Sequence, residues 1–402
     1  MKHHLSDLAV FGGKPTFQEK LHVGRPNIGD RQRLLDRINE MLDRKWFSNA
    51  GPFVKEFENR VAHFLNIKHC IAMCNGTVAL EIAIRALELK GEVIVPSFTF
   101  IATAHALQWQ EITPVFCDVD PKTHNIDPFC LRRLITPRTT GIIGVHVWGR
   151  ACDVEALTKL SEQHHLRLLF DASHAFGCSY KGKRIGNFGN AEVFSFHATK
   201  FLNAFEGGAV ATNDDELASK IRLMKNFGFA GYDNVIYIGT NGKMSEVAAA
   251  MGLTGLESVV EFVNVNRRNY ETYRGELNGL PGVNMVVYDE TVENNYQHIV
   301  LEINESQTHI TRDELVEVLH AENVLARRYF YPGCHRMEPY RSYFPNAVLL
   351  LPETEKLTER VLVLPTGTAI NPEDIRKICQ IIRLVTENGR EVRERIHKRR
   401  MG

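Results

Sequence analysis

The chain has 402 residues, of which 44% are hydrophobic and 24% are charged, a mixture typical of a globular protein of two or three domains. Lysine plus arginine and aspartate plus glutamate number 48 each, and the resulting zero formal net charge argues against a general nucleic-acid or acidic-membrane binder. No apolar run reaches the roughly 18 residues of a membrane span, and the eight cysteines are scattered without a CxxC pair. We therefore expect reduced thiols in a cytoplasmic protein.

The N-terminal part of the chain alternates helical and strand patterns. Apolar residues at helical spacing predict a helix over 54–64, after Gly51-Pro52, and a second helix beginning near Thr77. Short apolar runs then alternate with helix-length segments. These runs lie at 92–95, 114–118, 141–147, 166–171, 191–196 and 208–212. Strands that are apolar on both faces indicate an α/β fold with a mostly parallel sheet covered by helices.

The pattern changes after about residue 255. The elements predicted there are a long helix over 259–277, strands at 298–303 and 361–365, a capping box at Thr311–Glu314 and a helix over 372–384. We therefore predict a large unit over 1–255, including an N-terminal arm, and a smaller α+β unit over 256–402 with a linking helix. The tail from 389 is rich in Arg and Lys but also contains Glu, which favours a solvated helix end over a nucleic-acid arm.

Polar residues follow several of the predicted strands, where open α/β sheets bind ligands. They are Asp171, Ser195 with Lys200 five positions later, Asn75-Gly76-Thr77 at a helix start, and Thr99-Phe100. Each feature alone is weak, because an aspartate at a strand end is often a helix cap and a lone lysine is usually on the surface. Fingerprints of other cofactors are absent from the sequence: it has no GxGxxG opening a helix, no GxxxxGK[ST] and no HExxH.

Together these residues suit pyridoxal 5′-phosphate. A carboxylate such as Asp171 keeps a pyridine nitrogen protonated, and Lys200 can form a Schiff base with the aldehyde. Gly76-Thr77 at a helix N-terminus and the Ser195 hydroxyl can bind a phosphate, and Phe100 can stack on the ring. Adjacent histidine pairs point in different directions on a helix, so we predict no metal site.

The chain resembles the DegT/DnrJ/EryC1/StrS family of sugar aminotransferases, within the fold-type I pyridoxal-phosphate enzymes. The segments that carry the resemblance are Ser48-Asn49-Ala50-Gly51-Pro52, Cys74-Asn75-Gly76-Thr77, Pro96-Ser97-Phe98-Thr99-Phe100, Asp171-Ala172-Ser173-His174-Ala175, Ser195-Phe196-His197-Ala198-Thr199-Lys200, Glu206-Gly207-Gly208, residues 239–246 and Pro332-Gly333-Cys334-His335. More narrowly, Val23-Gly24-Arg25-Pro26-Asn27 and Lys225-Asn226-Phe227-Gly228-Phe229 are similar to the C-4 aminotransferases of desosamine biosynthesis. That resemblance implies dTDP-4-keto-6-deoxyglucose as substrate, L-glutamate as amino donor and dTDP-4-amino-4,6-dideoxyglucose as product.

The resemblance also implies roles for individual residues. Lys200 would hold the cofactor and move the proton, Asp171 would pair with the pyridine nitrogen, and His174 would lie beside the ring. Gly76, Thr77 and Ser195 would bind the phosphate, and Phe100 would stack on the ring. Asn241 would reach the phosphate of a neighbouring subunit, which makes a homodimer with shared sites obligatory. Tyr331 and His335 would face the nucleotide sugar. Many relatives have Arg where this chain has Lys243, and we assign Lys243 no role.

Several alternatives stay open at this point. A C-3 or GDP-sugar aminotransferase of the same family would keep every cofactor residue and change only the sugar pocket. A non-catalytic sensor would bind the cofactor without turnover. Some relatives with His in place of the Schiff-base lysine are dehydratases, so the presence of Lys200 favours transamination.

Overall fold

The computed structural model describes residues 2–401 of the protein. The strands are β1 (Leu21–His22), β2 (His69–Met73), β3 (Glu92–Pro96), β4 (Thr113–Cys117), β5 (Thr139–Val145), β6 (Arg167–Asp171), β7 (Ser179–Tyr180), β8 (Lys183–Arg184), β9 (Ala191–Ser195), β10 (Gly208–Thr212), β11 (Val283–Met285), β12 (Ile299–Ile303), β13 (Val324–Leu325) and β14 (Val361–Leu364). The α-helices are α1 (Arg31–Arg44), α2 (Pro52–Leu65), α3 (Gly76–Ala86), α4 (Ala102–Gln108), α5 (Pro128–Leu134), α6 (Val154–Gln163), α7 (Asp215–Met224), α8 (Glu246–Glu257), α9 (Val259–Leu277), α10 (Glu305–Thr308), α11 (Arg312–Ala321), α12 (Tyr340–Tyr343), α13 (Pro352–Arg360), α14 (Pro372–Glu387) and α15 (Gly389–Met401). Short 3-10 helices span Leu5–Asp7, Ala9–Phe11, Val147–Gly149, Cys334–Arg336 and Ala347–Leu350.

A seven-stranded sheet forms the centre of the larger unit, in the order β2-β10-β9-β6-β5-β3-β4. Neighbouring strands from β9 to β4 pair in parallel, and β10 runs antiparallel to both β9 and β2. Every residue of β3 and β10 is buried, as expected for strands covered on both faces. The predicted α/β fold with a mostly parallel sheet is confirmed.

Helix α2 shows how the sheet is covered. Pro52 occupies its first turn, where the missing N–H costs nothing, and Phe57 and Val61 are fully buried on its inner face. Gly252 of α8 lies against the Phe57 ring, because a Cβ at that position would approach the ring to 2.7 Å. The Glu246 carboxylate accepts from the N–H of Phe53 at 2.9 Å, which fixes the start of α2 on α8.

The C-terminal elements form a second, smaller core around the antiparallel sheet β11-β12-β14. The predicted capping box is present, since Thr311 accepts from the Glu314 N–H and the Glu314 side chain accepts from Thr311. Helix α9 links the two cores: Phe262 packs in the larger one and Tyr273 in the smaller one. The division near residue 255 stays a prediction.

Both ends of the chain pack differently from what the sequence suggested. The N-terminal arm, predicted to belong to the large unit, buries Leu8 and Val10 in the smaller core. The basic tail forms α15, and Val392 and Ile396, four residues apart, are fully buried rather than solvated. Arg393 of the same helix pairs with Glu314 at 3.2 Å. The tail is therefore part of the fold.

Over residues 2–401, none of the helices has both the length and the apolar character needed to cross a membrane. The eight cysteines are all free, as predicted. Within the same residues, His, Cys, Asp and Glu side chains form no cluster of three or more that would suit a metal ion.

Candidate active site

The carboxyl-end edge of the large sheet brings the predicted polar residues together. Asp171 ends β6 and is only 5% exposed. Its Oδ2 accepts from the Thr103 hydroxyl at 2.9 Å and its Oδ1 accepts from the Ser173 N–H at 3.1 Å. Two donors therefore hold the carboxylate in one orientation, in a buried place that suits pairing with a cationic ring nitrogen.

Lys200 lies in the loop that follows the neighbouring strand β9. Its N–H donates to the His197 carbonyl at 2.8 Å, so the loop begins with a tight turn. The residue keeps part of its surface accessible, but its amine is desolvated. The pKa of the Lys200 amine is lowered to about 8 by burial, and the negative charge of Asp171 opposes this shift. A larger share of the amine is therefore neutral, and nucleophilic, near neutral pH than in an ordinary lysine.

A cradle for an anion lies beside these two residues, at the N-terminus of α3. Asn75 caps the helix by accepting from the Val78 N–H at 2.8 Å. A Cβ on Gly76 would lie 3.0 Å from the Ser195 Cβ, and a Cβ on Gly208 would lie 2.7 Å from the Gly76 nitrogen. Glycine at both positions thus keeps the helix start open beside the Ser195 hydroxyl. The positive end of an eleven-residue helix with a nearby hydroxyl suits a phosphate.

Two buried histidines face each other next to Lys200. The ring centroids of His174 and His298 are 4.4 Å apart, and the Nδ1 atom of each has no hydrogen-bond partner among residues 2–401. Burial lowers the pKa of His174 well below its ordinary value, and the charges of Lys200 and His298 lower it further. Burial, followed by the charge of Lys200, lowers the pKa of His298 to about 3. Both rings are therefore neutral at physiological pH.

Aromatic side chains close this pocket from behind. The Trp148 indole lies 5.3 Å from the His298 ring and, nearly parallel, 5.3 Å from the Phe330 ring. Trp148 is fully buried and donates through Nε1 to His124 Nδ1 at 3.0 Å. These rings form an apolar wall beside the two histidines.

The remaining predicted residues lie in different surroundings. Phe100 is 60% exposed and lies four residues after the end of β3. Asn241 is exposed on a loop, and the carbonyl of the next residue, Gly242, accepts from the Cys74 N–H at 2.8 Å. Tyr331 is 42% exposed, and the Arg328 guanidinium lies 4.6 Å from its ring. The role of Asn241 toward a second subunit and the stacking of Phe100 stay predictions.

His335 is buried, unlike the side chain that a sugar contact requires. One ring nitrogen lies 2.7 Å from the Ser97 hydroxyl and the other lies 2.7 Å from a Glu355 oxygen. Both nitrogens are thus bound within the chain. The structure gives His335 a structural role and does not support the predicted contact with the nucleotide sugar.

Sequence reasoning missed three residues of the site. Thr103, which orients Asp171, lies four positions after Thr99 on a helix that follows a strand end, and that spacing could have indicated it. His298 directly precedes β12 and Trp148 lies in the 3-10 helix after β5, and no local pattern distinguishes them from core residues.

Pyridoxal phosphate fits this set of residues. The anion cradle, the held carboxylate and the desolvated amine lie along one sheet edge. The unpartnered Nδ1 of His174 is a further polar atom that a bound ring substituent could satisfy.

Comparisons with known proteins agree with this interpretation. Residues 29–383 match the DegT/DnrJ/EryC1/StrS aminotransferase family. The structure of DesI, solved in the presence of its TDP-sugar product, is 51% identical, with a TM-score of 0.93, and the match covers 97% of this chain and 99% of that one. The dTDP-4-amino-4,6-dideoxy-D-glucose transaminase of Escherichia coli is 33% identical over 363 residues, which cover 90% of this chain and 97% of the relative. The GDP-perosamine synthase of Caulobacter vibrioides is 34% identical over 364 residues, which cover 89% and 96%.

Proposed function

We propose a specific reaction for this chain, which belongs to the DegT/DnrJ/EryC1/StrS aminotransferase family. It transfers the amino group of L-glutamate to C-4 of dTDP-4-keto-6-deoxyglucose and produces dTDP-4-amino-4,6-dideoxyglucose, with pyridoxal phosphate as cofactor. The observation that carries the proposal is the Lys200 amine, with a pKa of about 8, on the same sheet edge as the buried, doubly hydrogen-bonded Asp171.

Each residue of this edge has a task that follows from its surroundings. When bound, pyridoxal phosphate supplies an aldehyde that reacts with amines and a ring that withdraws electrons. Lys200 holds or releases a proton at Nζ near neutral pH, which suits it as both nucleophile and proton carrier. Asp171, oriented by Thr103, supplies a fixed negative charge for the ring nitrogen. Gly76, Thr77 and Ser195 bind the phosphate and orient the ring.

The neutral histidines complete the environment of the lysine. Because His174 and His298 carry no charge at physiological pH, they add hydrogen-bonding groups without a repelling cation next to Lys200. Trp148 and Phe330 behind them exclude water. A dry site strengthens the electrostatic interaction of Asp171 with a bound ring.

The choice of substrate rests on similarity. The 51% identity with DesI, whose structure was solved in the presence of its TDP-sugar product, supports a dTDP-linked sugar. The curated dTDP-4-amino-4,6-dideoxy-D-glucose transaminases support amination at C-4. The GDP-perosamine synthases match almost as well as these transaminases, so a GDP-linked sugar is the second candidate. The names of these relatives support catalysis over a role as a cofactor-binding sensor.

Regiochemistry tests the substrate directly. The enzyme is incubated with glutamate and, in separate reactions, with 4-keto dTDP-, 3-keto dTDP- and 4-keto GDP-6-deoxysugars, and the amine is located by NMR. We expect the amine at C-4 of the dTDP sugar, because the anchored diphosphate decides which carbon reaches the reacting amine. An amine at C-3, or faster turnover of the GDP sugar, would overturn the substrate and leave the cofactor assignment unchanged.

A homodimer with shared sites is part of the proposal. Phe227, Phe229, Tyr232 and Ile238 are exposed apolar side chains on the segment that leads to Asn241, which supports a partner surface there. We expect separately inactive Lys200→Ala and Asn241→Ala chains to regain activity when mixed as heterodimers, up to one working site per dimer. An active monomer in sedimentation would contradict the shared site.

A further inference from the structure

Residues 23–27 form a strap that crosses the loop carrying Lys200. The strap begins after β1, which pairs in parallel with β13 of the smaller unit, and it precedes α1. The chain therefore passes from the C-terminal unit across the reactive lysine before it enters the helices of the large unit.

Gly24 brings the strap into direct contact with the residue before Lys200. Its φ is +74°, a conformation that favours glycine, and a Cβ at this position would lie 2.9 Å from the Thr199 Cβ and 3.0 Å from the Thr199 carbonyl oxygen. Any side chain on residue 24 would therefore have to displace Thr199.

Asn27 ties the strap to both units. It is 3% exposed, and its Nδ2 donates to the carbonyl of Phe201, the residue after Lys200, at 3.0 Å. The Asn203 Nδ2 donates to the Asn27 carbonyl at 2.8 Å. The Asn27 Oδ1 accepts from the N–H and the hydroxyl of Thr368, in the C-terminal unit, at 3.0 and 2.9 Å.

We propose that Asn27 is a positioning residue for Lys200, which ties the lysine loop to the C-terminal unit through the strap over residues 23–27. The proposal rests on the role of Lys200 in the proposed function. No other side chain in the strap has this set of contacts among the described residues: one amide joins Phe201 on one side and Thr368 on the other.

The geometry explains why such a residue matters for amino transfer. Lys200 must bond to the cofactor in one part of the cycle and move a proton in another, and both require Nζ within reach of the same atoms. With Thr199 packed on Gly24 and Phe201 bonded to Asn27, the backbone on both sides of Lys200 is fixed. The lysine then changes place by side-chain rotation alone. A loose backbone would lower the fraction of time in which the amine is correctly placed.

Variants distinguish the two hydrogen-bonded contacts of the Asn27 side chain, one with Phe201 and one with Thr368. Asn27→Ala removes both contacts. We expect kcat to fall about 10- to 100-fold and the KM for glutamate to change less than about threefold. The reason is that misplacement of the Lys200 amine by about an ångström affects chemistry more than binding. Asn27→Asp keeps an acceptor for Thr368 but loses the donor to Phe201, and we expect it to resemble Asn27→Ala. Thr368→Val removes one of two bonds to Oδ1 and should lower kcat less than about threefold. Gly24→Ala leaves Asn27 intact but displaces Thr199, which precedes Lys200 in the same loop, and should therefore also lower kcat.

A measurement on the cofactor-free chain distinguishes positioning from general destabilisation. The pH dependence of Lys200 labelling by an amine-directed reagent, followed by mass spectrometry, should have its midpoint near 8 in the wild type. In Asn27→Ala, the released loop admits water and the midpoint should rise toward that of an ordinary lysine. The matched control is Asn294→Ala, since Asn294 is also buried and donates to two carbonyls of a surface loop. It should lower thermal stability and leave both kcat and the labelling midpoint unchanged.

The outcomes separate this proposal from the proposed function. Asn27→Ala and Asn27→Asp with kcat within twofold of the wild type and an unchanged labelling midpoint would overturn the role of Asn27, provided that Lys200→Ala is inactive. Turnover by Lys200→Ala would instead overturn the proposed function itself. If Asn27→Ala does not fold, Asn27→Asp and Gly24→Ala decide the question by the same two measurements.

Discussion

Two buried polar regions of this molecule differ in whether their polar atoms have hydrogen-bond partners. Glu322, which follows α11, has a fully buried side chain that accepts from the Ala9 N–H at 2.6 Å and from the Thr16 N–H and hydroxyl at 2.7 Å each. Lys2 adds a cation at 3.3 Å. This carboxylate is satisfied within the chain and fastens the N-terminal arm to the smaller unit.

Beside the edge of the large sheet, some buried polar atoms have no hydrogen-bond partner among the described residues. The Nδ1 atoms of His174 and His298 are buried without a partner among residues 2–401, and the Lys200 amine is desolvated. An unsatisfied buried polar group costs about 1–3 kcal/mol, so such groups persist where they serve a ligand. The hydrogen bonds of Glu322 hold the fold together, whereas the unpartnered histidine atoms beside Lys200 are available to a ligand.

The largest loss of activity is expected for substitution of Lys200. Lys200→Ala removes the proton carrier, and kcat should fall at least about 10³-fold, while thermal unfolding of the cofactor-free chain should occur at the same or a higher temperature, because a desolvated amine is removed. Steady-state kinetics, calorimetry and borohydride labelling of the wild type at residue 200 are the measurements. Normal turnover would contradict the assignment of Lys200.

Asp171→Asn tests the fixed charge on the same edge. The amide can still accept from Thr103 but lacks the negative charge, so we expect kcat to fall about 10²–10³-fold, the scale of losing one well-placed electrostatic partner. The affinity for pyridoxal phosphate, measured by fluorescence titration, should fall much less. Thr103→Val is the control and should reduce kcat only about tenfold. Full activity of Asp171→Asn would mean that another carboxylate serves the ring nitrogen.

Substitution of the fully hydrogen-bonded Glu322 should lower stability and leave activity nearly unchanged. Glu322→Ala leaves the N–H groups of Ala9 and Thr16 without their acceptor, and the free energy of unfolding should fall by about 2–4 kcal/mol. The kcat of the folded enzyme should stay within twofold of the wild type. Glu317→Ala, which removes a more exposed carboxylate from helix α11 and breaks its ion pair with Arg400, should lower the free energy of unfolding by less than about 1 kcal/mol in urea unfolding. A large loss of kcat in Glu322→Ala would remove the distinction between the two regions.

The smallest effect concerns acid stability. The pKa of His298 is about 3 in the folded protein, against an ordinary value of 6.5, because burial and the Lys200 charge disfavour the cation. Below pH 6.5 the unfolded chain therefore binds a proton that the folded chain does not, and stability is lost as the pH falls from about 6.5 toward 3. In cofactor-free His298→Gln, the free energy of unfolding should decrease less steeply over this window. The free energy of unfolding is measured by urea unfolding at pH 6.5 and at pH 4.5. An equal decrease between these pH values in the wild type and in His298→Gln would show that His298 does not contribute.

The sequence predicted much of the fold because its signals are local. The helix over 259–277, the capping box at Thr311 and six of the seven strands of the large sheet appear where periodicity and caps predict them, whereas β2 was not predicted. It also indicated Asp171, Ser195 and Lys200, since the carboxyl ends of parallel strands meet at one edge. The tail was less predictable, because the burial of Val392 and Ile396 depends on a surface that other segments provide.

The pattern of helices and strands and the chemical types at the strand ends follow from local sequence. Only the tertiary structure decided that His335 is bound by Ser97 and Glu355, that His298 faces His174, and that the strap with Asn27 crosses the lysine loop. Except for the pair of His335 with Glu355, which are 20 positions apart, these contacts join residues more than a hundred positions apart. Local periodicity carries no information about such pairs, because burial and desolvation arise only when distant segments pack together.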